Sequence, residues 1–187
     1  MVGILNITEE GNELANFLKN CQISFNLVYT EDEIIQCKKL IIPSCNSITN
    51  LLKKMNKANL YQIIKMLKKD ILCLGNSSAL LCESYENLTL PSFCIIDNKV
   101  NNFIQVNTFF DIEITFNHKI FENISNLNFY FENILDIVSC PNTIATIKEL
   151  NYSAIIIKNN FYAFSFLPEK SGEQGKQILL NFINIDK

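Results

Sequence analysis

A cysteine thiol becomes a nucleophile only where a base or a positive field draws off its proton. This chain has seven cysteines, at 21, 37, 45, 73, 82, 94 and 140, but a single histidine, His118. Two of the cysteines stand where apolar runs give way to turns. Cys73 lies in Ile71-Leu72-Cys73-Leu74-Gly75-Asn76-Ser77-Ser78, a buried-strand pattern that enters a small-residue turn and then a helix. Cys45 lies in Pro43-Ser44-Cys45-Asn46, directly after another apolar run. A sharp strand-to-helix turn can present a nucleophile at a helix N-terminus, whose field favours the thiolate. A third segment, Phe164-Ser165-Phe166-Leu167-Pro168-Glu169-Lys170-Ser171-Gly172, places a carboxylate, Glu169, just ahead of the last helix. His118, in Phe116-Asn117-His118-Lys119, reads as a surface or turn residue rather than a catalytic base. No cysteine pair has C-x-x-C spacing and the number is odd, so neither a disulfide framework nor a metal site is expected; a reducing, cytoplasmic location is.

The elements that must carry these groups follow from periodicity. In the first half, strands are expected over residues 2–7, 24–29, 39–42 and 71–74. Helices are expected over 10–21, 31–36, 48–55 and 60–67, with a further one beginning at 78–82. Strand and helix in alternation imply parallel pairing through right-handed crossovers. The second half reads mostly as strands, over 93–96, 103–106, 109–115, 127–131, 143–150, 153–158 and 161–166. Asn159-Asn160 is a tight turn between the last two, and a final helix covers 173–183. The expected fold is α/β: a three-layer sandwich with a mainly parallel central sheet and an antiparallel extension. The 187 residues read as one domain, and 48% hydrophobic residues suffice for a core. All sixteen basic residues are lysine and the net charge is −3, so forked contacts to phosphates or bases are unavailable and nucleic acid is not an expected partner. No apolar run is long enough for a membrane span and no signal peptide is visible. The triplet Asn87-Leu88-Thr89 then reflects abundant asparagine rather than glycosylation.

The segment Pro168-Glu169-Lys170-Ser171-Gly172, together with the order of elements, resembles the Cys-His-Glu (class I, flavodoxin-like) glutamine amidotransferases. Within that family it is most similar to the glutaminase subunits of imidazole glycerol phosphate synthases, which read roughly Q-F-H-P-E-K-S-G at this point. The resemblance covers the chain end to end and implies glutamine hydrolysis that delivers ammonia to a HisF-type (β/α)8 barrel synthase, with no metal or organic cofactor. It also marks departures. Leu167 stands where the family has its triad histidine, and a leucine cannot accept a proton. Glu169 keeps the position of the triad acid; with no imidazole to orient, it is expected to be a solvated or helix-capping acid. The family's glycine-rich oxyanion loop, P-G-V-G, is here Pro43-Ser44-Cys45-Asn46, so side chains of Ser44, Cys45 and Asn46 enter the space where glutamine would lie. A family segment Y-F-V-H-S-Y is altered to Tyr130-Phe131-Glu132-Asn133-Ile134-Leu135.

Two registers compete at the nucleophile. Without gaps, Leu72, Leu80, Leu81, Glu83 and Ser84 match and the nucleophile position is Gly75. Laying Cys73-Leu74-Gly75 on the family's C-L-G makes Cys73 the nucleophile, but slips a buried strand and a packed helix by two residues. The ungapped register is favoured. Glycine is also physically apt at an elbow that needs φ > 0. Three functions remain open on sequence alone: a catalytically inactive subunit that binds the barrel synthase; an active glutaminase using Cys73, with glutamine as substrate; and a stand-alone small-molecule-binding protein. Aromatics such as Phe161, Tyr162, Phe164 and Phe166 could line a pocket in the last case, although alternation suits them better to a sheet core.

Overall fold

Short apolar runs separated by amphipathic periods leave each strand one route to burial, beside another strand and beneath a helix. The computed structural model describes residues 1–8, 10–85, 92–100 and 103–185; Asn87-Leu88-Thr89 lies outside them. The first half runs β1 (Val2–Leu5), α1 (Gly11–Asn20), β2 (Phe25–Val28), α2 (Glu31–Gln36), β3 (Lys39–Ile42), α3 (Ile48–Lys57), α4 (Leu60–Met66) and β4 (Ile71–Leu74). The second half adds β5 (Ser84–Tyr85), β6 (Lys99–Val100), β7 (Phe103–Ile114), β8 (Asn128–Leu135), β9 (Thr143–Ile147), β10 (Ser153–Lys158), β11 (Phe161–Phe164) and α5 (Gly172–Asn184). Among the described residues, nine strands form one sheet in the order β2-β1-β3-β4-β11-β10-β9-β7-β8. The run from β2 to β11 is parallel, and β10, β9, β7 and β8 join it antiparallel. One face of the sheet is covered by α2, α3 and α4, the other by α1 and α5. This is the expected three-layer α/β sandwich with its antiparallel extension.

Several local expectations are corrected. The helix expected from residue 78 is a 3₁₀ turn over Gly75–Leu81, all of it buried. Serine hydroxyls compete there with the α-helical ladder. Ser77 accepts from Leu74 N–H at 3.0 Å and lies 2.8 Å from the Leu74 carbonyl, while Ser78 donates to the Phe164 carbonyl at 3.0 Å. Amides of the following loop then take the turn's last carbonyls: Phe93 N–H donates to Leu80 at 2.7 Å and Ile96 N–H to Leu81 at 2.8 Å. The strand expected over 93–96 is that loop, because its amides bind the turn instead of a neighbouring strand. The strands expected over 103–106 and 109–115 are one, β7, interrupted by a bulge between Gln105 and Thr108 with Asn107 at φ 49°. The expected tight turn joins β10 to β11, with Asn159 left-handed at φ 58°.

Two lysines close the bottom of the sheet. Lys69 donates to the carbonyls of Ile34 and Ile35 at 2.8 and 2.7 Å, and to that of Cys37, capping the end of α2. Lys39 donates to the Phe182 carbonyl at 2.7 Å and to that of Ile185, capping α5, and pairs with Asp70 at 3.3 Å. No helix among the described residues is long and apolar enough to cross a membrane. Replacing Lys39 by methionine removes a buried ion pair and a helix cap together, so Lys39→Met should lower stability by about 2–4 kcal/mol in urea denaturation. Lys39→Met/Asp70→Leu should recover a large part of that loss.

Candidate functional site around the Gly75 elbow

The residues singled out from sequence meet at the end of β4. Here β4 lies between β3 and β11, and the segments after these three strands face one shared space. Gly75 comes directly after β4 with φ +51°, a left-handed conformation that costs a residue with a Cβ about 1–3 kcal/mol. Ser44 reaches it from the loop after β3, and Leu167 from the segment after β11. A Cβ at position 75 would lie 2.5 Å from Ser44 Oγ and 2.7 Å from Leu167 Cδ2. Leucine and serine side chains thus close over the elbow, leaving no room for a side chain on it.

Backbone donors around the elbow are also occupied. An amide directly after a nucleophile commonly helps to hold an oxyanion. Here Asn76 N–H donates to Ser44 Oγ at 3.2 Å. The Asn76 side chain is fixed at both ends, donating to the Cys45 carbonyl at 2.9 Å and accepting from Asn133 at 3.1 Å. In the loop after β3, the exposed Asn46 directs its N–H to Glu10 Oε1 at 3.2 Å. Burial would raise the Glu10 carboxyl, but hydrogen bonds from its own amide, from Asn46 and from Thr8 outweigh this and hold it below the ordinary range. An anionic oxygen already sits on the loop amide, which opposes the build-up of a second negative charge nearby.

The thiols are poorly placed for attack. Cys73 is wholly buried within β4, and burial pushes its thiol well above the ordinary range, with Cys45 and Cys82 adding to the effect. Burial, then Glu10, pushes Cys45 up to about 12. His118 is remote from both: its ring packs edge-on against Tyr162, with centroids 6.3 Å apart, on the α5 side of the sheet. Cys73 faces the α3 side, so the sheet itself separates imidazole and thiol. His118 Nδ1 accepts from Ile120 N–H at 3.1 Å, the turn role expected of it.

Glu169 corrects the expectation of a solvated or capping acid. Its Oε2 is buried without a hydrogen-bond partner among the described residues, and no side chain caps the N-terminus of α5. Burial pushes the carboxyl up to about 7, against its own amide and the Lys170 ammonium. The glutamate turns inward because the Pro168–Lys170 3₁₀ turn is pinned under α5, where a Cβ at Gly175 would lie 1.9 Å from the Pro168 carbonyl. Nearby, Lys170 pairs with Glu13 at 3.4 Å and Glu132 at 3.7 Å. Glu10, Asn76 and Asn133 were not singled out by sequence reasoning. Asn133 lies in a segment whose departure from the family was visible, but Glu10 reaches the site only through the fold. Among the described residues, no group of three or more potential ligands could hold a metal ion.

No protein-family model matches the chain. It is 31% identical over 177 residues to the imidazole glycerol phosphate synthase subunit HisH of Buchnera aphidicola subsp. Acyrthosiphon pisum, covering 87% of this chain and 89% of that protein. To the protein of the same description from Blochmanniella pennsylvanica it is 33% identical over 168 residues, covering 82% of this chain and 83% of that protein. A solved structure described as a glutamine amidotransferase superposes with a TM-score of 0.75 at 16% identity, covering 97% of this chain and 98% of that one.

Two stability measurements test the elbow. Gly75→Ala should cost about 1–3 kcal/mol, and Ser44→Gly in the same chain should relieve part of it by removing the close contact. The Glu169 carboxyl binds its proton more tightly when folded (about 7) than at the ordinary 4.5. Its contribution is therefore complete below about pH 4.5 and lost as pH rises through about 7, a loss of about 2–3 kcal/mol by pH 8. Glu169→Gln should flatten that dependence in denaturation midpoints measured from pH 5 to pH 8.

Proposed function

The chain belongs to the HisH family, the glutamine amidotransferase subunits of imidazole glycerol phosphate synthase, and from that premise we propose that it has lost glutamine hydrolysis and serves as a non-catalytic partner of a HisF-type barrel synthase. One observation carries the reading: a Cβ at Gly75 would lie 2.5 Å from Ser44 Oγ and 2.7 Å from Leu167 Cδ2. On the ungapped register these are the nucleophile, oxyanion-loop and base positions. All three are replaced, and the replacements pack against one another where glutamine would react. Such packing is what a site released from catalysis gains, since a strained elbow and open cavity cost stability.

The Cys73 register asks a buried strand thiol to act without a base. The small-molecule reading loses its expected lining, because Phe161, Tyr162, Phe164 and Phe166 are core residues. Partner binding needs a surface, and one flanks the elbow. On either side of the β7 bulge, Ile104 pairs with Ile134 and Phe109 with Tyr130 of β8. Ile104 is 49% and Phe109 47% exposed. Phe109 packs edge-on against Tyr130 at 5.5 Å, and Lys170 lies 5.9 Å over the Tyr130 ring. An exposed aromatic cluster rimmed by charge suits a protein partner.

The test is glutamate release by the purified chain, alone and mixed with the barrel subunit of its host, beside the ammonia-dependent activity of that barrel. We expect no glutaminase in either state, binding to the barrel, and no turnover from Leu167→His alone. Glutaminase activity abolished by Cys73→Ala in folded protein would overturn the reading. Phe109→Ala and Lys170→Glu should each weaken barrel binding by about tenfold, near 1.4 kcal/mol.

A further inference from the structure

A cavity of about 520 Å³ lies at the opposite end of the sheet from the elbow. Strand register places it there: Ile157, in its wall, pairs with Tyr162 and Tyr162 with Leu72, level with the start of β4, whereas Gly75 comes after its end. We infer that this cavity is a binding site for a small uncharged molecule with a ring-sized apolar body and a hydrogen-bond acceptor beside it.

Its size falls within the roughly 300–1,000 Å³ usual for small-molecule sites. The described residues that line it include no aspartate, glutamate or lysine, in a chain of which 19% is charged. An ionic ligand would lose water there without gaining a counter-charge, so the site selects a neutral one. The apolar body is matched by Phe116, Ile144 and Ile157, of which Phe116 is 66% exposed and has a whole ring face to offer.

The polar groups divide into two sets. Thr143 and Thr115 are committed to the fold: the Thr143 hydroxyl is 2.7 Å from that of Ser153, and Thr115 donates to the Thr143 carbonyl at 3.0 Å. The second set, His118 through its Nε2–H, Ser139 and Asn142, lines the cavity with groups that can hydrogen-bond a ligand. His118 is directed by both its contacts. Its Nδ1 accepts from Ile120 N–H, which leaves the proton on Nε2, and the Tyr162 edge holds the ring. Burial, then the Lys119 ammonium, also lowers the affinity of this imidazole for a second proton. A fixed neutral donor calls for an acceptor such as a carbonyl or ring nitrogen on the ligand. Because the cavity lies away from the elbow face, a partner docked on that face leaves it open.

Cys140 in the cavity wall supplies a reporter, and the exposed Cys94 an internal reference. The probes are benzamide and benzoate, alike in shape but different in charge. Iodoacetamide labelling of both cysteines is followed by peptide mass spectrometry, with saturation-transfer NMR as an independent readout. Benzamide should slow labelling of Cys140 by about fivefold at saturation and leave Cys94 unchanged, and benzoate should bind about tenfold more weakly. Phe116→Ala and His118→Gln should each weaken benzamide by about fivefold; neither side chain belongs to the core, so both variants should fold. Equal protection by benzoate, no protection by benzamide up to its solubility, or unchanged benzamide binding in both variants would each overturn the inference.

Discussion

Everything at the top of this sheet depends on how close the chain comes to the Gly75 backbone. Three neighbouring parallel strands, β3, β4 and β11, end at the same level, and the residues after them must share one small volume. Gly75 turns through a left-handed conformation that needs no Cβ, and the space that a side chain would take is filled by Ser44 and Leu167. Each of the three residues makes the others possible. A larger residue at 75 would displace both neighbours, and a smaller one at 44 or 167 would open a void against the elbow.

Around that contact, polar groups that would be left open for chemistry are instead satisfied internally. The Asn76 and Asn46 amides find acceptors in Ser44 and Glu10, and the Asn76 side chain bridges to Cys45 and Asn133. Buried donors with partners stabilise, whereas donors held in reserve for an oxyanion do not. Glu169 is the exception. One of its carboxyl oxygens, Oε2, is enclosed without a partner among the described residues, and burial moves its titration close to neutrality. Its turn is pinned under α5 by the contact of Pro168 with Gly175, which accounts for both facts.

The two ends of the sheet therefore differ in kind. At the elbow end the surface is aromatic and charged, with Phe109, Tyr130, Lys170 and Glu132 around a closed site. At the other end Lys39 and Lys69 cap two helices, and farther along the same end a cavity opens between the start of β9 and the end of β7, with no charged residue among its described lining. The antiparallel extension builds both regions, because its hairpin borders the elbow while its connections frame the cavity. The packed elbow therefore lies apart from both the exposed hairpin and the cavity.

The order of elements was legible in the sequence because it rests on local periodicity: apolar runs made the strands, 3.6-residue spacing the helices, and Asn159-Asn160 the turn. The Pro-Glu-Lys-Ser-Gly segment identified the family and located Leu167, since a contiguous motif needs no tertiary information. Other features were decided only by the fold. Ser77 and Ser78 turned an expected helix into a 3₁₀ turn through bonds to strands distant in sequence. The β7 bulge shifted the register of the hairpin, so that Ile104 meets Ile134 while Phe109 meets Tyr130. Glu169 went inward where its polarity suggested water, and Glu10 joined a site to which no motif ties it. In each case the deciding energy is a contact between residues far apart in the chain, and periodicity reports only which residues seek burial, not what they will meet there.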